Sequence, residues 1–319
     1  MSGKYNICLD IGGTKILGAV FNENKEIVYR LKKRTTEGGA DTENIEKVII
    51  GVAKQIIDES GISKNAINAI SAGAPGVINR DEGIVLFSPN LPWRNYDIRT
   101  PLQDKFGVPF YIDNDVNAGV LGEYKYGAAQ GYQNVVGFFV GTGMGGGLIL
   151  NGQPFGGNLF KGAEFGHMVL EPEGPVCGCG QRGCLEVFSS KQGISSYIRQ
   201  QASRGRETPM AEHVQDGVFR SKYLKKAMKK KDPVTIEAVD RACHYLAIAT
   251  GNMINTISPD CVVYGGGVIE AVGDYFLEKI LAEVDRYAMP SIRSTVELKK
   301  AALGDDSNLY GALAMIEEK

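Results

Sequence analysis

Leu9-Asp10-Ile11-Gly12-Gly13-Thr14-Lys15-Ile16-Leu17-Gly18 is the stretch that decides the fold. An apolar run ends in a glycine turn and a second apolar run leaves it. Phe139-Val140-Gly141-Thr142-Gly143-Met144-Gly145-Gly146-Gly147-Leu148 repeats the design. Gly12 aligns with Gly141 and Gly18 with Gly147, an offset of 129 residues in both cases. Two copies of one strand–turn–strand unit suggest two similarly built domains. Glycine turns are common in hairpins, so the echo alone leaves two unrelated hairpins as an equal account. The length of 319 residues fits two domains, at roughly 150 residues each.

Working outward, residues 5–10, 16–21 and 27–31 are short apolar runs with tight connections, which predicts an antiparallel start. Residues 42–60 follow with Ile45, Val48, Val52 and Ile56 at helical spacing, and Gly61 as a stop. Residues 66–72 and 110–113 read as buried strands. Residues 235–257 read as a long helix closed by Pro259, and residues 261–264 as a strand entering Gly265-Gly266-Gly267, before a helix from Ile269. The class is α/β.

Composition excludes several functions. Hydrophobic residues make up 43% and charged residues 23%, the balance of a chain that folds on a core. The formal net charge of −2 argues against a dedicated nucleic-acid binder. The run Lys225, Lys226, Lys229, Lys230 and Lys231 reads as a solvated helix face. Residues 1–10 lack a signal peptide's apolar region, and no stretch reaches the ~18 apolar residues of a spanning helix. A cytoplasmic protein without membrane partners is expected.

Three kinds of chemistry stand out. Gly12, Gly13, Thr14 and Lys15 form a turn whose amides, hydroxyl and ammonium suit a phosphate. Gly141, Thr142 and Gly143 supply a second such turn, and Gly265, Gly266 and Gly267 a third between strand and helix. The first is not a Walker loop nor, because a strand follows it, a Rossmann fingerprint. Cys177, Cys179 and Cys184 crowd into eight positions, and His167 lies ten residues upstream. Three thiolates and an imidazole make a closed Cys3His set for structural Zn2+, which in a reduced cytosol is favoured over a disulfide. Cys8, Cys243 and Cys261 sit in apolar runs and read as core. Carboxylates supply the third kind. Asp115 follows a strand end and suits a base toward a hydroxyl, with Asn114 offering amide contacts. A polar turn would look the same. Glu164 and Glu186 flank the cysteine loop and suit a polyhydroxylated ligand.

Together these motifs resemble the ROK family of bacterial sugar kinases and sugar-responsive repressors, most closely its glucokinase branch. The resemblance rests on residues 10–15, 74–76, 90–93, 114–118, 141–143, 164–167, 177–186 and 265–267, in the family's order and over most of the chain. It implies an actin-like ATPase fold of two ribonuclease-H-like domains around a central cleft. The smaller would hold residues 1–117 plus 302–319, the larger residues 118–301. It implies ATP-dependent phosphorylation of glucose at the 6-hydroxyl, with Asp115 as catalytic base. Gly76, Asn90, Asn114, Glu164, His167 and Glu186 would bind the sugar. Asp10 would help place Mg2+, and the three glycine turns would bind ATP. His167, Cys177, Cys179 and Cys184 would hold zinc.

A homodimer or higher homo-oligomer follows by the same analogy. Within the kinases the alternative is another hexose such as fructose, or an N-acetylhexosamine such as N-acetylmannosamine. Two further rivals are a DNA-binding repressor and a non-catalytic sugar sensor. The start of the phosphate motif at Asp10 leaves no room for an N-terminal helix-turn-helix, and the intact Asp115 with complete turns argues against a sensor.

Overall fold

The computed structural model describes residues 4–318. These fall into two compact units: residues 4–127, 156–162 and 306–318 in the first, and residues 128–155 and 163–305 in the second.

In the first unit, β1 (Tyr5–Ile11), β2 (Lys15–Phe21) and β3 (Ile27–Arg34) run antiparallel, as their short connections require. β3 is longer than its apolar run because its residues alternate between half-buried and exposed, which hides its far end from a search for apolar stretches. α1 (Thr42–Ser60) is capped by Asp41, whose carboxylate accepts from Asn44 N, and ends on Gly61 in the left-handed region. It lays Ile45, Ile49, Val52 and Ile56 into the core. β4 (Ile67–Ala74) then pairs parallel with β1. β5 (Val77–Asn79), β6 (Ile84–Phe87) and β7 (Arg94–Asp97) form a small antiparallel sheet. α2 (Arg99–Phe106) leads to β8 (Phe110–Asn114), parallel to β4, and α3 (Asp115–Tyr126) begins at the next residue. The order across the main sheet is β3-β2-β1-β4-β8.

The second unit opens with β9 (Val135–Val140), β10 (Met144–Leu150) and the two-residue β11 (Gln153–Pro154). The helices α4 (Glu186–Ser189), α5 (Lys191–Ser203), α6 (Ala211–Val214), α7 (Ser221–Lys229) and α8 (Pro233–Ile257) follow. α8 starts two residues ahead of its apolar stripe because Asp232 caps it and Pro233 suits the first turn. β12 (Cys261–Gly265), α9 (Gly267–Val284), α10 (Pro290–Arg293) and β13 (Glu297–Lys300) complete the unit. Its sheet order is β11-β10-β9-β12-β13.

Counted within each sheet, both orders are third-second-first-fourth-fifth, with antiparallel hairpins followed by parallel strands. The 129-residue echo maps β2 onto β10 residue for residue. The two copies are thus one architecture used twice, a ribonuclease-H-like α/β unit in each half.

Each unit has its own apolar core. Cys8, Cys243 and Cys261 are buried, and the α7 lysines are exposed. Among the described residues, no helix is long and apolar enough to cross a membrane.

The chain's last helix, α11 (Ser307–Glu317), packs on α3 with backbones nearly touching. A Cβ on Gly311 would lie 1.8 Å from Ala118 O, and one on Gly122 would lie 2.3 Å from Ser307 O. Gly311→Ala must push the helices apart, at the roughly 1–3 kcal/mol of an overpacked core. A drop of several degrees in the melting temperature of the first unit is expected. An unchanged melting temperature would show that the pair tolerates separation.

Candidate active site

The residues with functional chemistry form one group in each unit. In the first, they sit where β1, β4 and β8 end. The register sets Asp10 beside Gly73, Gly73 beside Asp113, and Ala74 beside Asn114. Ligands of α/β folds bind at such carboxyl ends.

Asn114 fixes this corner. Its side-chain oxygen accepts from Val116 N at 2.8 Å and Asn117 N at 3.1 Å, capping α3. Its amide nitrogen donates to Gly76 O at 3.0 Å. The residue expected to touch a sugar therefore has most of its hydrogen-bonding capacity committed to protein, with one amide hydrogen left over. Asp115 is the first residue of α3, where one carboxylate oxygen accepts from Val116 N at 2.9 Å.

Sequence reasoning missed the residue beneath the corner. Asp113 is only 6% exposed. Its carboxylate accepts from Asn114 N at 2.6 Å and Asn117 Nδ2 at 3.3 Å, and pairs with Arg80 at 3.4 Å. Burial pushes this carboxyl above its ordinary range, while Arg80 and the two N–H donors pull it back. Arg80 follows β5 in a polar turn without signature, and only folding brings it to Asp113.

The turn after β1 is tied down from two sides. Gly12 N donates to Lys15 O at 2.9 Å, so that amide closes the turn instead of facing a ligand. Thr35 Oγ1 donates to Gly12 O at 2.6 Å. Thr14 and Lys15 are exposed, and Gly13 lies against Asn90, so two separately predicted residues meet. Asp10 accepts from Asn308 of α11 at 3.0 Å.

In the second unit the four predicted metal ligands converge. His167, Cys177, Cys179 and Cys184 place their ligand atoms within 4.8 Å of one another. Cys177 Sγ lies 3.7 Å from His167 Nδ1, and Cys179 Sγ lies 3.8 Å from Cys184 Sγ. Tetrahedral zinc with sulfur at ~2.3 Å requires sulfur pairs ~3.8 Å apart, so the donor set fits that ion in type and in spacing. Burial pushes the Cys177 thiol up to about 12, so a metal would have to displace its proton. The loop is closed by Cys177 N donating to Gln181 O and Gly180 N to Cys177 O.

Glu186 links this loop to the glycine turn after β9. Its Oε2 accepts from Met144 N at 2.9 Å, and its Oε1 lies 3.7 Å from Cys177 Sγ. A Cβ on Gly143 would lie 2.4 Å from Oε2, so a larger residue there must displace the end of the Glu186 side chain. As after β1, the first amide closes the turn: Gly141 N donates to Gly143 O. Glu164 precedes the short 3-10 turn Phe165–His167. Burial raises its carboxyl, His167 opposes that shift and Glu186 adds to it. Gly265 ends β12, Gly266 takes φ 88° and Gly267 opens α9.

The ROK family profile matches residues 6–319. A glucokinase from Halalkalibacterium halodurans is 32% identical, over 100% of this chain and 97% of its own. One from Thermotoga maritima is 33% identical, over 98% of this chain and 97% of its own. The crystal structure of a ROK family glucokinase from Streptomyces griseus, in complex with glucose and AMPPNP, is similar with a TM-score of 0.83 and 29% identity. That match covers 99% of this chain and 100% of that one.

Proposed function

The chain belongs to the ROK family, and from that premise we propose that it transfers the γ-phosphoryl group of ATP to the 6-hydroxyl of glucose. The products are glucose 6-phosphate and ADP. Its relatives at 32% and 33% identity are glucokinases over nearly their whole length, and a similar structure holds glucose with an ATP analogue. The single structural observation that carries the reading is the β8–α3 corner, where Asn114 and Arg80–Asp113 hold Asp115 at the end of three parallel strands.

In this reading Asp115 takes the proton of the 6-hydroxyl as its oxygen attacks the γ-phosphorus, and the bond to the ADP oxygen breaks. The spare amide hydrogen of Asn114, with Asn90, Gly76, Glu164, His167 and Glu186, orients the sugar ring. Carboxylates that accept from hydroxyls discriminate well, because an analogue lacking the donor leaves the charge unpaired. The turns at residues 12–15, 141–143 and 265–267 hold the nucleotide. Asp10, a hard oxygen donor beside the first turn, is assigned to Mg2+, which when bound neutralises phosphate charge. His167, Cys177, Cys179 and Cys184 would hold zinc as a structural ion, and a loop fixed in this way would keep the abutting Glu186 carboxylate in place. Assembly as a homodimer is part of the same reading.

Three measurements test it. With ATP, glucose should release ADP with a kcat/KM above those for mannose, fructose, N-acetylglucosamine and N-acetylmannosamine. A tenfold preference for an N-acetylated sugar would replace glucose as the substrate. Asp115→Asn keeps the side chain's shape and removes the base, so kcat should fall roughly 10²–10⁴-fold while glucose still binds. Near-normal turnover in that variant would remove Asp115 from the mechanism. Elemental analysis should find one zinc per chain, lost in Cys179→Ser with a rise in the glucose KM. Full zinc content in a variant lacking all three cysteines would disprove the ligand set.

A further inference from the structure

Two glycine turns of the second unit end on neighbouring strands, since β9 and β12 pair in parallel with Gly265 beside Phe139. Lys191, the first residue of α5, spans them. Its backbone N donates to Gly141 O at 3.0 Å, and the next residue's N, that of Gln192, donates to Thr142 O at 3.2 Å. The residue is thereby fixed to the first turn. Its side chain reaches the second. A Cβ on Gly267 would lie 3.0 Å from Lys191 Nζ and 3.3 Å from Ser221 Oγ. Gly267 is the first residue of α9, which kinks at Val272 and whose N-cap, Gly266, has no side chain to cap it. The orphan amides of that first turn therefore share one locality with an ammonium and a hydroxyl.

We propose that Lys191 binds the phosphates of the nucleotide in the second unit, with Ser221 as the accompanying hydroxyl. The proposal rests on the kinase reading above. Backbone amides, a lysine and a hydroxyl are the donors that P-loops bring to phosphates within one short motif. Here the same donors come from three segments, at α5, α7 and α9. Lys191 belongs to none of the motifs that the sequence displays, because its neighbours in sequence carry no phosphate signature. A flexible ammonium suits this position, since it can follow a phosphate that leaves as part of ADP.

The test compares wild type, Lys191→Met and Lys191→Arg. Wild-type turnover with ATP and glucose examines the kinase reading by itself. If wild type neither binds nor consumes ATP, that reading fails and takes this proposal with it. Calorimetric titration with adenosine and ADP in the presence of glucose, and with ATP in its absence, then examines Lys191. A charge-assisted contact predicts that Lys191→Met binds ADP and ATP roughly 10- to 100-fold more weakly. Adenosine affinity and the glucose KM should stay within about twofold of wild type, and Lys191→Arg should recover most of the loss. Unchanged ATP affinity in Lys191→Met would overturn the proposal. So would an equal loss for adenosine and ATP with a lowered melting temperature, the mark of a mere brace between the turns.

Discussion

The backbones of α3 and α11 pack without side chains between them, and the chemistry of the first unit hangs from that contact. α3 begins with Asp115, and α11 carries Asn308, which holds Asp10. Gly122 and Gly311 remove the side chains that would keep the helices apart. The end of the chain thus lies against the same strands as its beginning. The contact extends to a buried polar pair, in which Ser307 Oγ donates to Glu123 at 2.9 Å. A glutamate without solvent is costly unless bonded, so this pair also favours one seating of α11 over others.

The second unit solves a different problem with the same architecture. Its glycine turn and cysteine loop are irregular backbone, and irregular backbone needs external anchors. Glu186 supplies one by contacting both, and the start of α5 supplies another through Gly141 and Thr142. Zinc in the Cys3His set would add a third. Under the proposed function, sugar recognition by Glu164, His167 and Glu186 would then be set by a preorganised loop, at the cost of dependence on the metal.

Burial and charge divide the carboxylates by role. Asp113 is sealed, paired and bonded to its neighbours, the state of a positioning group. Asp115 stands two residues further on, as the first residue of α3. Glu164 lies by His167 and Glu186; burial raises its carboxyl, with Glu186 adding to the shift and His167 opposing it. These residues are near in sequence or alike in type, and only their environments separate them.

By itself the sequence determined what is local or periodic. The strand–turn–strand echo, the helical spacing of residues 42–60 with its stop at Gly61, the stripe of α8 and the Cys3His cluster were all legible, because each depends on residues within a turn or a loop of one another. Glycines forced by close approach, such as Gly311, were visible as glycines, though their reason was not. Tertiary structure alone decided the sheet orders, the return of α11 onto α3, the Arg80–Asp113 pair and the reach of Lys191 to Gly267. Each joins segments far apart in the chain, where no periodicity records the pairing and the burial of a group depends on everything packed around it. The commitment of Asn114 to its own helix belongs here in part: its capping role was open to a sequence reading, but its bond to Gly76 was set by how β4 and β8 lie side by side.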